Sequence, residues 1–434
     1  MKKVFSIILC AVAVAGFSSC KHEEDDIFNE SSALRTNHAV ATYSELLTSA
    51  ENGWVMEYFA NEEEPGYPML VKFDANGAVT IAAKNHYSSN NVYATEESLY
   101  EVIADNGPVL SFNSYNTLFH IFADPADIPD TGTPENPDDE TGLGHEGDYE
   151  FVIYEGDADH FRMKGKKHGL EINMYKLPAD QAWDTYYDKL DEIKAQMFSR
   201  FVPTIWMTVG SERYSITGMS EGLFNFVPEG GDPISQTVTI PFIVRLDGTV
   251  HLCSAFEGEN ENLAIQNFKI GESGTLDSVD EEQTASISAP AAGEFFMDYD
   301  AANEWEINAE SFGGSFVAAY NDIVTDSYDE LRQRFNYFRF RYDGEQFSLF
   351  FRNGKYNGYF YLTISATGND VSLKFEGEAN QMGNTHLTRV PAYQTFLDLL
   401  SDEYSVTANS VLCPTELTFV SKTDASKTFK VDVK

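Results

Sequence analysis

The chain has 434 residues, with 29 Lys plus Arg against 69 Asp plus Glu and a formal net charge of −40 at pH 7. A field of that sign repels nucleic-acid phosphate and is not drawn to anionic lipid headgroups, which excludes nucleic-acid binding and electrostatic adsorption to membranes. The length exceeds what one ordinary core supports, so two domains are the expectation.

Lys2 and Lys3 precede an apolar run from Val4 to Phe17, and Ser18-Ser19 leads into Cys20. Charge, apolar run and small residues in that order predict a secretory signal peptide over 1–19. The run is too short for the roughly 20 residues of a membrane-spanning helix. Ser18-Ser19-Cys20 resembles the bacterial lipobox, which implies lipid attachment at Cys20 and a membrane partner held through that lipid. Residues 20–35 read as an acidic tether. Within it, Lys21 followed by Glu23, Glu24, Asp25 and Asp26 resembles the surface-export signal of Bacteroidetes lipoproteins; the alternative is a solvated charged run. Together these resemblances imply an outer-membrane, lipid-anchored protein facing the cell exterior.

Val40, Tyr43, Leu46, Leu47 and Ala50 keep helical spacing until Asn52-Gly53, which predicts a first helix. From Trp54 the period changes to two. Trp54–Phe59, Met69–Phe73, Val79–Ala83, Leu99–Ala104, Val109–Phe112, Leu118–Phe122, Tyr149–Tyr154, Phe161–Lys164 and Ile172–Leu177 read as strands, several joined by short turn signals. Sequential strands on tight turns favour an up-and-down, lipocalin-like meander or barrel, because closure removes exposed edges. Residues 36–177 are thus one domain.

A second, connecting helix is expected over 178–200, with Trp183, Tyr186, Leu190, Ile193 and Met197 on one face. Strands then resume through 201–434, with a third helix from Ala392 to Asp402 and two final strands. The fold class is mainly β with a few helices (α+β), in two antiparallel β domains. Asp74–Gly77, Asp247-Gly248 and Asp343-Gly344 follow similar apolar and basic residues, a likeness that shared turn chemistry explains without duplication. Once Cys10 and Cys20 are set aside, Cys253 and Cys413 either pair in an oxidising compartment or sit buried as small apolar side chains.

No motif with catalytic chemistry stands in a credible context. Gly142-Leu143-Gly144-His145-Glu146-Gly147 has dinucleotide-loop glycine spacing, but it ends a loop and opens a strand. Gly218-Met219-Ser220-Glu221-Gly222 has hydrolase-elbow spacing, yet apolar alternation resumes at once in Leu223–Val227, which marks a β-turn serine. The nine histidines are scattered, so neither zinc nor another cofactor is expected. Calcium is the softer candidate, at Asp124, Asp127, Asp130, Asp138, Asp139, Glu140 and Asp148 or at Asp298, Asp300 and Asn303; solvated acid accounts better for both. Tyr87, Tyr93 and Tyr356 lie in polar loop contexts and are the candidate ligand-binding aromatics. Asp277-Ser278-Val279 resembles the acceptor of Bacteroidetes protein O-glycosylation, in a stretch read as strand-free.

Glu51–Tyr58, Val71–Asp74, Glu97–Tyr100, Gly107–Phe112, Asn116–Phe122, Gly147–Phe151 and Met163–Lys166 resemble the Bacteroidetes lipoproteins grouped as domain of unknown function 4302. The likeness is densest up to Leu177, and Met163 stands where Leu is the usual residue. It implies an outer-membrane accessory of a nutrient-uptake system, for glycan or peptide, with an outer-membrane transporter complex as partner. It carries over no catalytic residue. The reading is a non-enzymatic binding module, with an extracellular hydrolase of unrecognised site as the alternative.

Overall fold

The computed structural model describes residues 30–125, 132–133, 136–137, 144–258, 263–280, 284–298 and 304–434. The signal peptide, Cys20, Lys21, Glu23, Glu24, Asp25 and Asp26 all lie outside those residues. So do Asp127, Asp130, Asp138, Asp139, Glu140, Asp300 and Asn303 of the calcium expectation.

The fold is mainly β, with antiparallel sheets and a few helices, as the periodicity predicts. Helix α1 (Ser32–Ser49) starts inside the expected tether, where the Ser31 hydroxyl accepts the Leu34 N–H and caps the first turn. The first sheet contains β1 (Trp54–Tyr58), β2 (Tyr67–Phe73), β3 (Ala78–Ala83), β4 (Ala94–Leu99), β5 (Glu101–Ala104), β6 (Pro108–Ser111), β9 (Glu150–Gly156), β10 (His160–Gly165) and β11 (Glu171–Lys176). A separate short hairpin, β7 (Gly132–Thr133) with β8 (Asn136–Pro137), lies between β6 and β9 in the chain.

The nine strands run in the order β4-β3-β2-β1-β11-β10-β9-β6-β5. Its two edges are consecutive in the chain, separated by Tyr100 alone. The expected barrel therefore exists as an open, barrel-like sheet whose seam is spanned by covalent chain rather than by a ladder. Alternate residues of β1 and β2, among them Trp54, Met56, Tyr58, Met69, Val71 and Phe73, point to an aromatic interior. Leu70 of β2 and Ala82 of β3 point the other way, onto the core shared with the second half of the chain. Burial on both faces is why these strands read as nearly unbroken apolar runs.

Helix α3 (Tyr186–Met197) follows α2 (His86–Ser89) in order and connects the two halves. After it stand two closed eight-stranded barrels rather than one second sheet. The first contains β12 (Ile205–Val209), β13 (Glu212–Thr217), β14 (Leu223–Pro228), β15 (Val238–Val244), β16 (Val250–Phe256), β17 (Ile265–Ile270), β18 (Leu276–Ser278) and β19 (Ala285–Ser288). The other contains β20 (Glu304–Asn308), β21 (Phe335–Tyr342), β22 (Phe347–Asn353), β23 (Tyr356–Thr367), β24 (Asp370–Ala379), β25 (Asp402–Ala408), β26 (Glu416–Ser421) and β27 (Thr428–Val433).

Both barrels are filled. Phe224, Phe226 and Phe242 pack in the first, and Phe296 of α4 (Ala292–Met297) lies 5.2 Å from Phe340 and 5.0 Å from Phe419 in the second. On the outside of the second barrel Arg339 binds Glu304 and Glu306 at 2.7 Å, and Arg341 binds Glu304 at 2.7 Å. Among the described residues no helix is long and apolar enough to cross a membrane.

Several elements differ from their sequence-based assignment. Leu118, Phe119 and Phe122 form a turn and a 3-10 helix (His120–Ala123), not a strand, because spacings of three and four place all three side chains inward. Helices α5 (Ser315–Leu331) and α6 (Gln381–Arg389) were not anticipated, whereas α7 (Ala392–Leu400) was. Ser278 lies on β18, not in a strand-free stretch, and its hydroxyl accepts the Ala285 N–H. Cys253 and Cys413 are both free, so they do not pair; Cys253 is buried as the small-apolar alternative expects, whereas Cys413 is only half-buried.

Candidate functional site

A large cleft of about 1020 Å³ lies where the first sheet, α3 and the first barrel meet. Its volume is at the upper end of ordinary ligand sites. The β1–β2 loop forms one wall. In that loop the Asn61 carboxamide oxygen accepts the N–H groups of Glu63 and Glu64, each at 2.8 Å, which folds the turn and carries Glu64 inward. Glu64 then meets His145 Nδ1 at 2.5 Å, and His145 is wholly buried.

The glycines around His145 have a packing reason and not a nucleotide-binding one. A Cβ on Gly144 would stand 2.1 Å from the Asp124 carbonyl oxygen, and one on Gly147 would stand 2.0 Å from the Tyr58 hydroxyl. Only glycine lets this segment press onto the sheet and place His145 beneath the cleft.

The rings of Tyr67, Tyr87, Phe122 and His145 form one cluster. Tyr87 is 4.4 Å from His145 and 6.1 Å from Tyr67, while Phe122 is 4.6 Å from Tyr67 and 5.4 Å from His145. Two buried polar atoms here have no hydrogen-bond partner among the described residues, the Tyr67 hydroxyl and His145 Nε2. Buried polar atoms are almost always satisfied, so an unpartnered pair in one cluster demands a physical reason. Burial raises the Tyr67 phenol far above its ordinary range, so it remains a donor.

The opposite wall is α3. Tyr187 donates to the Pro68 and Ala82 carbonyls at 3.1 and 2.9 Å, fixing the helix on the sheet. Lys84 bridges Asp188 and Asp191 at 3.2 and 2.9 Å. Lys194 also lines the cleft, and burial lowers its pKa below the usual lysine value. Ser220 lies on the rim, in a 3-10 turn between the antiparallel strands β13 and β14. That is a hairpin, not the strand-to-helix elbow a nucleophilic serine needs.

A smaller polar cleft of about 390 Å³ opens where β10 and β11 meet the first barrel. Glu57, 1% exposed, takes both arms of Arg245, at 2.5 and 2.9 Å. Tyr175 stacks against His160 at 4.4 Å and carries the Arg245 guanidinium 4.4 Å from its ring centre. Asn267 Oδ1 accepts from His251 Nδ1 at 2.8 Å while Asn173 Nδ2 approaches His251 Nε2 at 3.3 Å, a pattern that suits the neutral ring. Burial accordingly lowers the His251 pKa. Every group in this second cleft is engaged with another, so it reads as a polar joint between sheet and barrel.

Of the residues singled out from sequence, Tyr87 lines the large cleft. Tyr93 packs against Tyr187 at 6.2 Å, and Tyr356 opens β23 in the second barrel, so the three do not share a site. Asp148 accepts the backbone N–H groups of Lys167 and His168 at 2.8 and 2.9 Å, which commits it to a turn. Among the described residues no group of three His, Cys, Asp or Glu could hold a metal ion. Glu64, Tyr67 and His145 were not anticipated as site residues; the only signal was the glycine pair flanking the histidine.

The model of the family Domain of unknown function (DUF4302) matches residues 24–270. The chain belongs to this family. The DUF4302 match covers the first sheet, α3 and the first barrel as far as the end of β17, and so contains every residue named here in the large cleft. No curated protein matches the chain. Among solved structures, the DNA polymerase III beta chain of Streptococcus pneumoniae is 9% identical, with 91% of this chain and 97% of that chain covered at a TM-score of 0.12. The DNA polymerase sliding clamp of Pseudomonas aeruginosa is 11% identical, covering 92% and 96% at 0.13. A transferrin binding protein B double mutant from Haemophilus parasuis is 9% identical, covering 87% and 73% at 0.13. Scores this low carry no argument about fold or function.

Proposed function

We propose that this DUF4302 chain is a non-enzymatic binding module, held by a lipid on Cys20 at the outer face of the outer membrane. It takes a glycan or peptide nutrient in the large cleft and presents it to an outer-membrane transporter complex. The observation that carries the reading is the cleft of about 1020 Å³ with two buried, unpartnered polar groups behind its wall. A preformed opening with a few aimed polar atoms in a mostly apolar setting is the usual form of a small-molecule site. The placement on the cell surface rests on the resemblances of Cys20 and of Lys21, Glu23, Glu24, Asp25 and Asp26.

The test is a glycan and peptide array probed with the labelled body lacking its first 20 residues. Binding that is lost when Tyr87→Ala alters the cleft supports the reading. An array without a hit, or hits indifferent to the cleft, rejects it.

A further inference from the structure

We propose that Tyr67 and His145 form a subsite for the hydroxyl groups of a neutral saccharide, reached from the large cleft past the ring of Tyr87. This rests on the binding-module reading and narrows its ligand from glycan or peptide to an uncharged sugar.

The two unpartnered atoms are complementary in kind. The Glu64 carboxylate occupies His145 Nδ1, so in the neutral ring Nδ1 carries the hydrogen and Nε2 presents a lone pair. Tyr67, 7% exposed and itself part of the cleft wall, presents an O–H. One atom accepts and the other donates. A sugar hydroxyl does both, whereas a carboxylate can only accept and would face the Nε2 lone pair with Glu64 behind it. The ring of Tyr87, 4.4 Å from His145 and on the cleft wall, is the aromatic surface on which a pyranose would rest. Tyr87 sits in the four-residue α2, capped by the Asn85 side chain and followed by Asn90 and Asn91 with φ of 50° and 59°. The rival occupant of the two atoms is a buried water, which would serve stability alone.

The two occupants separate under two conservative variants. Tyr67→Phe removes only the hydroxyl. His145→Asn keeps an N–H for Glu64 and removes the Nε2 acceptor. With the full chain in detergent, titration of maltotriose, xylotriose, mannotriose and laminaritriose, beside their uronic-acid counterparts, measures Kd by calorimetry. We expect one neutral trisaccharide to bind, its uronic-acid counterpart to bind at least tenfold more weakly, and each variant to weaken the neutral ligand about tenfold. Tyr67→Phe should leave thermal stability unchanged or higher, because an unpartnered buried hydroxyl is lost.

Unchanged affinity in both variants, or a fall in stability on Tyr67→Phe without loss of sugar binding, would show a structural water and overturn the subsite. Peptides on the array without any neutral sugar would also overturn it while leaving the binding module intact. No ligand of either class would remove both.

Discussion

Glu57 of β1 and Arg245, just after β15, form a bidentate pair 188 residues apart, with Glu57 almost wholly enclosed. The pair joins the first sheet to the first barrel beside the smaller cleft. Removing Arg245 leaves a carboxylate buried without its counter-charge. Arg245→Met should destabilise the protein by about 3–5 kcal/mol, and the double change with Glu57→Met by clearly less. Urea midpoints of the three proteins check this; a double variant as weak as the single one would argue against an uncompensated charge.

Acid should loosen the structure in two steps. Burial lowers the pKa of His120, His251 and His386 below the ordinary 6.5. Each is therefore neutral in the fold over a range where the unfolded chain binds a proton, so stability is full above about pH 6.5 and falls as pH drops toward the folded pKa values. A second loss follows below the ordinary carboxylate range. Burial alone would raise Asp402, but Lys427, the Ser421 and Thr423 hydroxyls and the Glu403 N–H hold its pKa well below 3.8. Its stabilisation is present above pH 3.8 and vanishes as pH falls through the folded value. Urea midpoints at pH 7.5, 6.0, 5.0 and 3.0 should decline at each interval; a flat profile from 7.5 to 5.0 would refute the histidine contribution.

The free thiols give a chemical test of the packing. Burial pushes the Cys253 thiol up to about 12 and Cys413 up to about 11. Since the thiolate is the reactive form, both should label slowly with a maleimide at pH 7.5 in the native state. In denaturant without reductant both should alkylate fully. Peptide mass spectrometry decides it: unmodified Cys253 and Cys413 in denaturant would reveal a disulfide.

Cys20→Ser should abolish incorporation of labelled palmitate while leaving the circular dichroism of the body unchanged. Replacing Glu23, Glu24, Asp25 and Asp26 by alanine should keep the lipid and turn the body to the periplasmic face. Protease shaving of intact cells reads that difference. Digestion of the alanine variant as readily as the parent would show that the acidic cluster is only a solvated tether.

The half-buried strands were legible because one period fits them. Trp54, Met56 and Tyr58 alternate cleanly, and the turn glycines take positive φ, Gly77 after Asn76 and Gly248 and Gly344 each after an Asp. Two closed barrels were not legible. Strand closure is a matter of which distant strands pair, and β12 with β19 or β20 with β27 leaves no local mark. Helix α5 is hard to read although Phe316, Ala319, Ile323 and Ser327 keep a helical face, because the exposed Val317, Val324 and Tyr328 blur the contrast between its faces. The Glu64–His145 pair spans 81 residues and two loops, and no spacing rule connects them.

The second barrel closes by pairing β20 with β27, Trp305 opposite Val433 and Asn308 opposite Lys430. While the chain is being made, β20 must therefore wait, one side without its ladder, until residues 428–433 exist. Such a late, long-range closure makes this barrel slow to complete, and the waiting strand with Trp305 and Ile307 is a template for the wrong neighbour. Deleting residues 428–433 would cost more than one strand, because β26 and β20 would both lose a partner.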